Sequence, residues 1–239
     1  MTNTVSQAYL PNSGIAYTRR YSEIRAQSTR LAARLSPEDQ QVQSMPNVSP
    51  TKWHLGHTTW FFETFILRPQ LPDYHVFDST FNYLFNSYYE AVGPRQLRAE
   101  RGLITRPTLE EVLSYRAHVD AAMANFFEVA TADKLEDLRD LLELGLHHEQ
   151  QHQELILMDI KHVLSRNPFG PSYRKKEPAA VYSTHALQWF DVPGGVYRIG
   201  DADDGHFSFD NETPAHEVML GNFKLASRCV TNGEYTPIH

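Results

Sequence analysis

The sequence predicts an α+β chain in which a bundle of four helices precedes an incomplete, β-rich segment. Three observations predict it. Apolar residues recur at steps of three and four up to about residue 165, the composition breaks at Asn167-Pro168-Phe169-Gly170-Pro171, and short strand and turn patterns follow from Gln188. The chain is therefore expected to divide into a helical domain over residues 1–166, a linker over 167–187 and a β-rich segment over 188–239. With 239 residues, 41% hydrophobic and 21% charged, it has room for one large or two modest cores.

The first helix is expected over Ile15 to Leu35, ending before Ser36-Pro37. Ser49-Pro50-Thr51 starts the second, since serine can cap and proline suits a first turn. That helix carries Trp53, His57, Trp60, Phe61 and Thr64 to about Leu67. A third begins near Pro107-Thr108, with Leu109, Val112, Arg116, Val119, Met123 and Phe126 at helical steps, and a fourth runs from about Lys134 to Ser165, stopped by Asn167-Pro168. The connection over residues 68–106 is rich in aromatics (Tyr74, Phe77, Phe81, Tyr83, Phe85, Tyr88, Tyr89) and then in arginines. A connection of this length is either functional or a cap over the bundle end. Beyond the basic Arg174-Lys175-Lys176, the patterns Trp189-Phe190-Asp191, Pro193-Gly194-Gly195, Val196 to Gly200 and Phe207 to Glu212 read as short strands and turns. The roughly fifty residues of this last segment are marginal for an independent core.

A formal net charge of −7 argues against a general nucleic-acid surface. No stretch approaches the ~18 apolar residues of a membrane span, and no basic segment with an apolar core opens the chain. Cys229 is the one cysteine, which excludes an intrachain disulfide and a cysteine-based zinc cluster and predicts a cytoplasmic protein. It lies in an apolar, strand-like run, Leu225 to Val230, and is expected to be a small core residue rather than a reactive thiol.

Chemistry concentrates in Leu146-His147-His148-Glu149-Gln150-Gln151-His152-Gln153-Glu154. His148 and His152 stand four apart on the stripe Leu138, Leu141, Gly145, His148, His152, Leu155, Asp159, Val163, so one helix face directs both imidazoles toward one point. A buried imidazole left without a partner costs on the order of 1–3 kcal/mol, so the pair needs hydrogen bonds or a metal. His147 sits one step round the helix. His57, on the Trp53/Trp60 stripe, is the candidate third ligand, with Gly56 beside it allowing a close approach; His54 points more nearly off that stripe. Alternatively, these are hydrogen-bonded core histidines in a chain that holds 12. Three neutral imidazoles leave a divalent charge uncompensated and coordination positions open, which suits anionic ligands, and zinc would be accepted as well as iron. Glu149, Gln151 and Glu154 either support the imidazoles and substrate or belong to a solvated helix face. Arg95, Arg98, Arg101 and Arg106 form a cluster that either grips carboxylates of an amino-acid or peptide substrate or pairs with surface acids.

The stretches Ser49-Pro50-Thr51-Lys52-Trp53-His54-Leu55-Gly56-His57-Thr58-Thr59-Trp60-Phe61-Phe62-Glu63, Phe85-Asn86-Ser87-Tyr88-Tyr89 and His148-Glu149-Gln150-Gln151-His152 together resemble the ergothioneine-biosynthesis sulfoxide synthases. Those proteins join a DinB-like four-helix bundle to a domain like the formylglycine-generating enzyme (sulfatase-modifying factor), of C-type-lectin-like fold. Pro193-Gly194-Gly195, Phe209-Asp210-Asn211-Glu212 and Val230-Thr231-Asn232-Gly233-Glu234-Tyr235 are similar to its opening. The resemblance implies an Fe(2+) site at His57, His148 and His152. It implies sulfur-donor contacts at Arg95 and Arg98 and a betaine contact at Gln151. The implied reaction is O2-dependent joining of the thiol of γ-glutamylcysteine or cysteine to C2 of the imidazole of hercynine, giving a sulfoxide. Family members continue well beyond Tyr235, completing the β-rich domain and supplying a tyrosine proton donor. The resemblance therefore implies a C-terminally truncated chain with no counterpart of that tyrosine. Alternatives are a DinB-like zinc or nickel thiol transferase and an inactive metal-binding fragment.

Overall fold

In the computed structural model, which describes residues 14–87, 93–175, 185–202 and 205–236, the chain separates into two units, Met1–Lys175 and Lys176–His239. Tyr88, Tyr89, Lys176 and the last three residues, to which sequence expectations were attached, lie outside the described residues.

Helix α1 (Gly14–Ala32) turns Tyr17, Tyr21, Arg25, Ser28 and Ala32 inward, steps of three and four that make one buried face. It ends earlier than the expected Leu35, because the Gln40 amide, on the short α2 (Pro37–Gln41), donates to the Ala32 and Leu35 carbonyls and satisfies the helix end. The central helix α3 (Thr51–Phe62) is buried on every side, which explains its lack of a polar face. It widens into a π-helical turn over Glu63–Leu67 before the single turn α4 (Arg68–Gln70).

The connection that follows is both cap and wall. Its short helix α5 (Phe81–Phe85) buries Phe81 and Phe85, and the indoles of Trp53 and Trp60 donate to the Leu84 carbonyl and the Asn82 amide oxygen. A 3₁₀ turn, Arg98–Leu103, is held by Gln41 and Gln43 through the backbone of Gly102 and Arg98. Lys52, buried in α3, donates to the Ile104 and Pro107 carbonyls and ties the end of the segment to the core.

Helix α6 (Leu109–Val129) opens with a reciprocal cap between Thr108 and Glu111. The expected single helix from Lys134 to Ser165 is instead two, α7 (Ala132–Asp137) and α8 (Arg139–Ser165), broken where Leu138 leaves helical geometry at φ −99° and ψ 1°. Both Leu135 and Leu138 enter the core across this break. The four longest helices pack as α1 on α8 and α6, and α3 on α6 and α8, around an aromatic core that includes Tyr21, Trp60, Phe61, Phe62, Phe85 and Tyr115.

The second unit holds two antiparallel pairs, β1 (Trp189–Val192) with β4 (Phe223–Ala226) and β2 (Gly195–Ile199) with β3 (His216–Leu220). Residues Asp210–Glu212 form a 3₁₀ turn, and Thr231 caps the short α9 (Asn232–Tyr235). Cys229 is exposed, contrary to the expected core position, because β4 ends at Ala226 and leaves Cys229 outside the ladder. Among the described residues no helix is long and apolar enough to cross a membrane.

Candidate metal centre

Two helices supply the three predicted histidines: His57 from α3, and His148 and His152 from α8. Their ring centroids lie 4.9 Å (His57–His148), 4.7 Å (His57–His152) and 4.6 Å (His148–His152) apart. One nitrogen from each ring falls within 4.8 Å of the other two, the one such cluster among the described residues. His57 Nε2 and His148 Nε2 face each other at 3.1 Å, about the separation of adjacent ligands on one ion given metal–nitrogen bonds of roughly 2.1 Å.

Close packing puts them there. A Cβ on Gly145, one turn before His148, would lie 2.7 Å from the Phe61 ring and 2.8 Å from that of Phe62, so α8 meets α3 closely only because glycine stands there. Gly56 fills the corresponding role beside His57, but for a ring rather than a long helix: its Cβ would lie 2.3 Å from Phe85. The Phe85 carbonyl accepts from His57 Nδ1 at 2.6 Å, which leaves Nε2 with its lone pair. Trp53 and Trp60 stack against His57 at 4.6 and 5.5 Å. The buried Nδ1 of His148 has no hydrogen-bond partner among the described residues.

Burial favours the neutral form of all three rings. It brings His148 down to about 4 and, with the neighbouring imidazoles, holds His57 and His152 well below the usual histidine range. At neutral pH the cluster therefore offers lone pairs and no charge, as ligands must.

His54 stays outside the triad, as its position off the stripe predicts, yet it touches it. Its Nδ1 lies 2.8 Å from His152 Nδ1, and its Nε2 lies 3.0 Å from Asp159 Oδ2. His147, half-buried near Glu143, takes no part.

Of the predicted substrate residues, Gln151 is exposed on α8, and Arg95 and Arg98 are half-buried at the entry to the 3₁₀ turn. Arg98 and Arg101 both add to the lowering of His54, whose main cause is burial. The arginine that enters deepest is Arg101, whose guanidinium lies 3.3 Å over the Trp53 ring and donates to Ser49 Oγ at 2.9 Å. Its place in the arginine run is legible in the sequence, but not that it is the most deeply buried of the four.

Glu149 is not on a solvated face. It is fully buried, accepting from Arg25 at 3.0 Å, Arg116 at 3.0 Å and Ser28 at 2.7 Å. Neither arginine carries a sequence signal beyond its helical step, and the cluster ties α8 to α1 and α6 beside His148. Burial alone would push Glu149 up, but the two guanidinium groups and the hydroxyl outweigh it and hold its carboxyl at about 2.

The chain is 28% identical over 198 residues to a hercynine oxygenase of Mycolicibacterium smegmatis, covering 81% of this chain and 43% of that protein. It thus spans less than half the length of that curated relative. Residues 20–156, which include α3, α6 and both ligand-bearing turns, match the DinB superfamily. The chain belongs to the DinB superfamily.

Proposed function

We propose that this chain is the metal-binding part of an ergothioneine-forming, O2-dependent sulfoxide synthase, a cytoplasmic oxidoreductase of the hercynine oxygenase type. The observation that carries the reading is the convergence of three buried, neutral imidazoles, His57, His148 and His152, on one point. The reading takes residues 1–166 as a DinB-type four-helix bundle and 188–239, after the linker 167–187, as part of a formylglycine-generating-enzyme-like domain. The match to hercynine oxygenase over 81% of this chain supports it.

His57, His148 and His152 would hold Fe(2+), which when bound supplies the redox chemistry that joins the thiol of γ-glutamylcysteine or cysteine to hercynine with O2. The donor set fits, because neutral imidazoles leave room and charge for an anionic thiolate. Burial of the triad and the stacked Trp53 and Trp60 rings keep bulk water from the reacting groups. Arg95 and Arg98, which follow the aromatic segment, would bind the sulfur donor's carboxylates, and Gln151, two positions from Glu149 and next to His152, would contact the betaine.

Metal analysis of anaerobically purified chain tests the site, and thiol- and hercynine-dependent O2 uptake tests the reaction. His57→Ala, His148→Ala and His152→Ala should each remove the iron, whereas His147→Ala should retain it. Equal metal content in all four variants overturns the ligand assignment. Tightly held zinc with no O2 uptake favours a DinB-type thiol transferase, which the same donor set accepts. Bound iron with no uptake identifies a metal-binding fragment.

A further inference from the structure

Asp159 lies on α8 two turns beyond His152 and is 2% exposed. A buried carboxylate ordinarily has a guanidinium or ammonium partner, as Glu149 has with Arg25 and Arg116. Asp159 instead uses Oδ2 to accept from the Ser49 backbone N–H at 2.8 Å and to face His54 Nε2 at 3.0 Å, while its buried Oδ1 has no hydrogen-bond partner among the described residues. Its charge is directed at a histidine.

That contact determines two tautomers in series. Nε2 of His54 must carry a hydrogen, since a lone pair there would oppose a buried carboxylate at 3.0 Å. The neutral ring then has only a lone pair at Nδ1. Because His152 Nδ1 lies 2.8 Å from it, that atom must carry the hydrogen and donate. The lone pair left on His152 is at Nε2. His57 reaches the same state independently, through the Phe85 carbonyl.

We propose that His54 and Asp159 are positioning residues that fix the tautomer and orientation of His152 as a metal ligand, through the chain Asp159 Oδ2, His54 Nε2–H, His54 Nδ1, His152 Nδ1–H. This rests on the assignment of His57, His148 and His152 as the metal site. It gives a triad of neutral ligands one anion, held at one remove by hydrogen bonds. Supports of this kind alter metal affinity by roughly 10–100-fold when removed.

Co(II) titration of the full chain, followed by its visible absorption, tests the relay without requiring turnover. His54→Ala and the near-isosteric Asp159→Asn should weaken Co(II) binding about tenfold or more and shift the absorption bands. His54→Gln, whose amide can accept from His152 and donate to Asp159, should recover most of the affinity. Binding within twofold of the original chain, with unchanged spectra, in both His54→Ala and Asp159→Asn overturns the relay. Equal weakening by His54→Gln and His54→Ala also overturns it, since packing alone would then explain the loss. His57→Ala separates the two levels: if that variant binds Co(II) normally, the metal-site assignment fails, whereas if it loses Co(II) while His54→Ala does not, only the relay fails.

Discussion

Gly56 and Gly145 set how closely the ligand-bearing helices meet their neighbours, and each is expected to resist the smallest side chain. Alanine is the better helix former by about 1 kcal/mol. At Gly56, however, its Cβ would lie 2.3 Å from the Phe85 ring, which is itself 1% exposed and has nowhere to retreat. Overpacking of this kind costs roughly 1–3 kcal/mol, so Gly56→Ala should show a net loss of up to about 2 kcal/mol in urea unfolding. It should also weaken metal binding, because the displaced Phe85 carries the carbonyl that orients His57. Lower stability with unaltered metal affinity would show that the ring yields while the carbonyl stays in place.

At the scale of elements, the Glu149 cluster joins the long helices: Arg25 and Ser28 come from α1, Arg116 from α6, and the arginines also bond Thr59 and the Leu55 carbonyl of α3. Removing one partner of such a cluster leaves buried charge uncompensated, at roughly 3–5 kcal/mol. Glu149→Gln should therefore destabilise strongly while sparing the histidines' geometry. The acid response has a definite sign. The Glu149 carboxyl sits at about 2 in the folded chain and at the ordinary carboxylate value of 4.5 when unfolded, so its stabilisation is complete above about 4.5 and lost as pH falls toward 2. Thermal melts from pH 6 to 2 should show this slope in the original chain and a shallower one in Glu149→Gln. The cluster also marks where the sequence becomes illegible. His148 and His152 could be paired because their spacing is a property of one helix, and His57 because tryptophans flank it at helical steps. Glu149, one position from His148, looks the same as any surface glutamate until Arg25 and Arg116, separated from it by 124 and 33 residues, are brought against it. The break at Leu138 and the inward turn of Arg101 depend on such distant packing as well.

At the scale of the whole molecule, all the buried side chains among the described residues belong to the first unit. The second unit leaves Trp189, Phe190, Met219 and Leu225 at 57%, 56%, 74% and 59% exposure, so its apolar residues contribute little burial energy. What remains is two short antiparallel pairs, and isolated two-stranded pairs are marginal in water. Backbone hydrogen bonds that no packed layer protects open locally at low cost. Native-state hydrogen exchange on the full chain should accordingly divide by unit. Amides of β1 to β4 should exchange orders of magnitude faster than those of α3 and α8, whose helices are fastened by the aromatic core and the Glu149 cluster. Comparable protection in β2 and α3 would contradict this division. Addition of Co(II) sharpens the comparison, because a ligand that binds only the folded state stabilises it by mass action. Protection should then rise in α3 and α8, which carry His57, His148 and His152, and remain low in the strands.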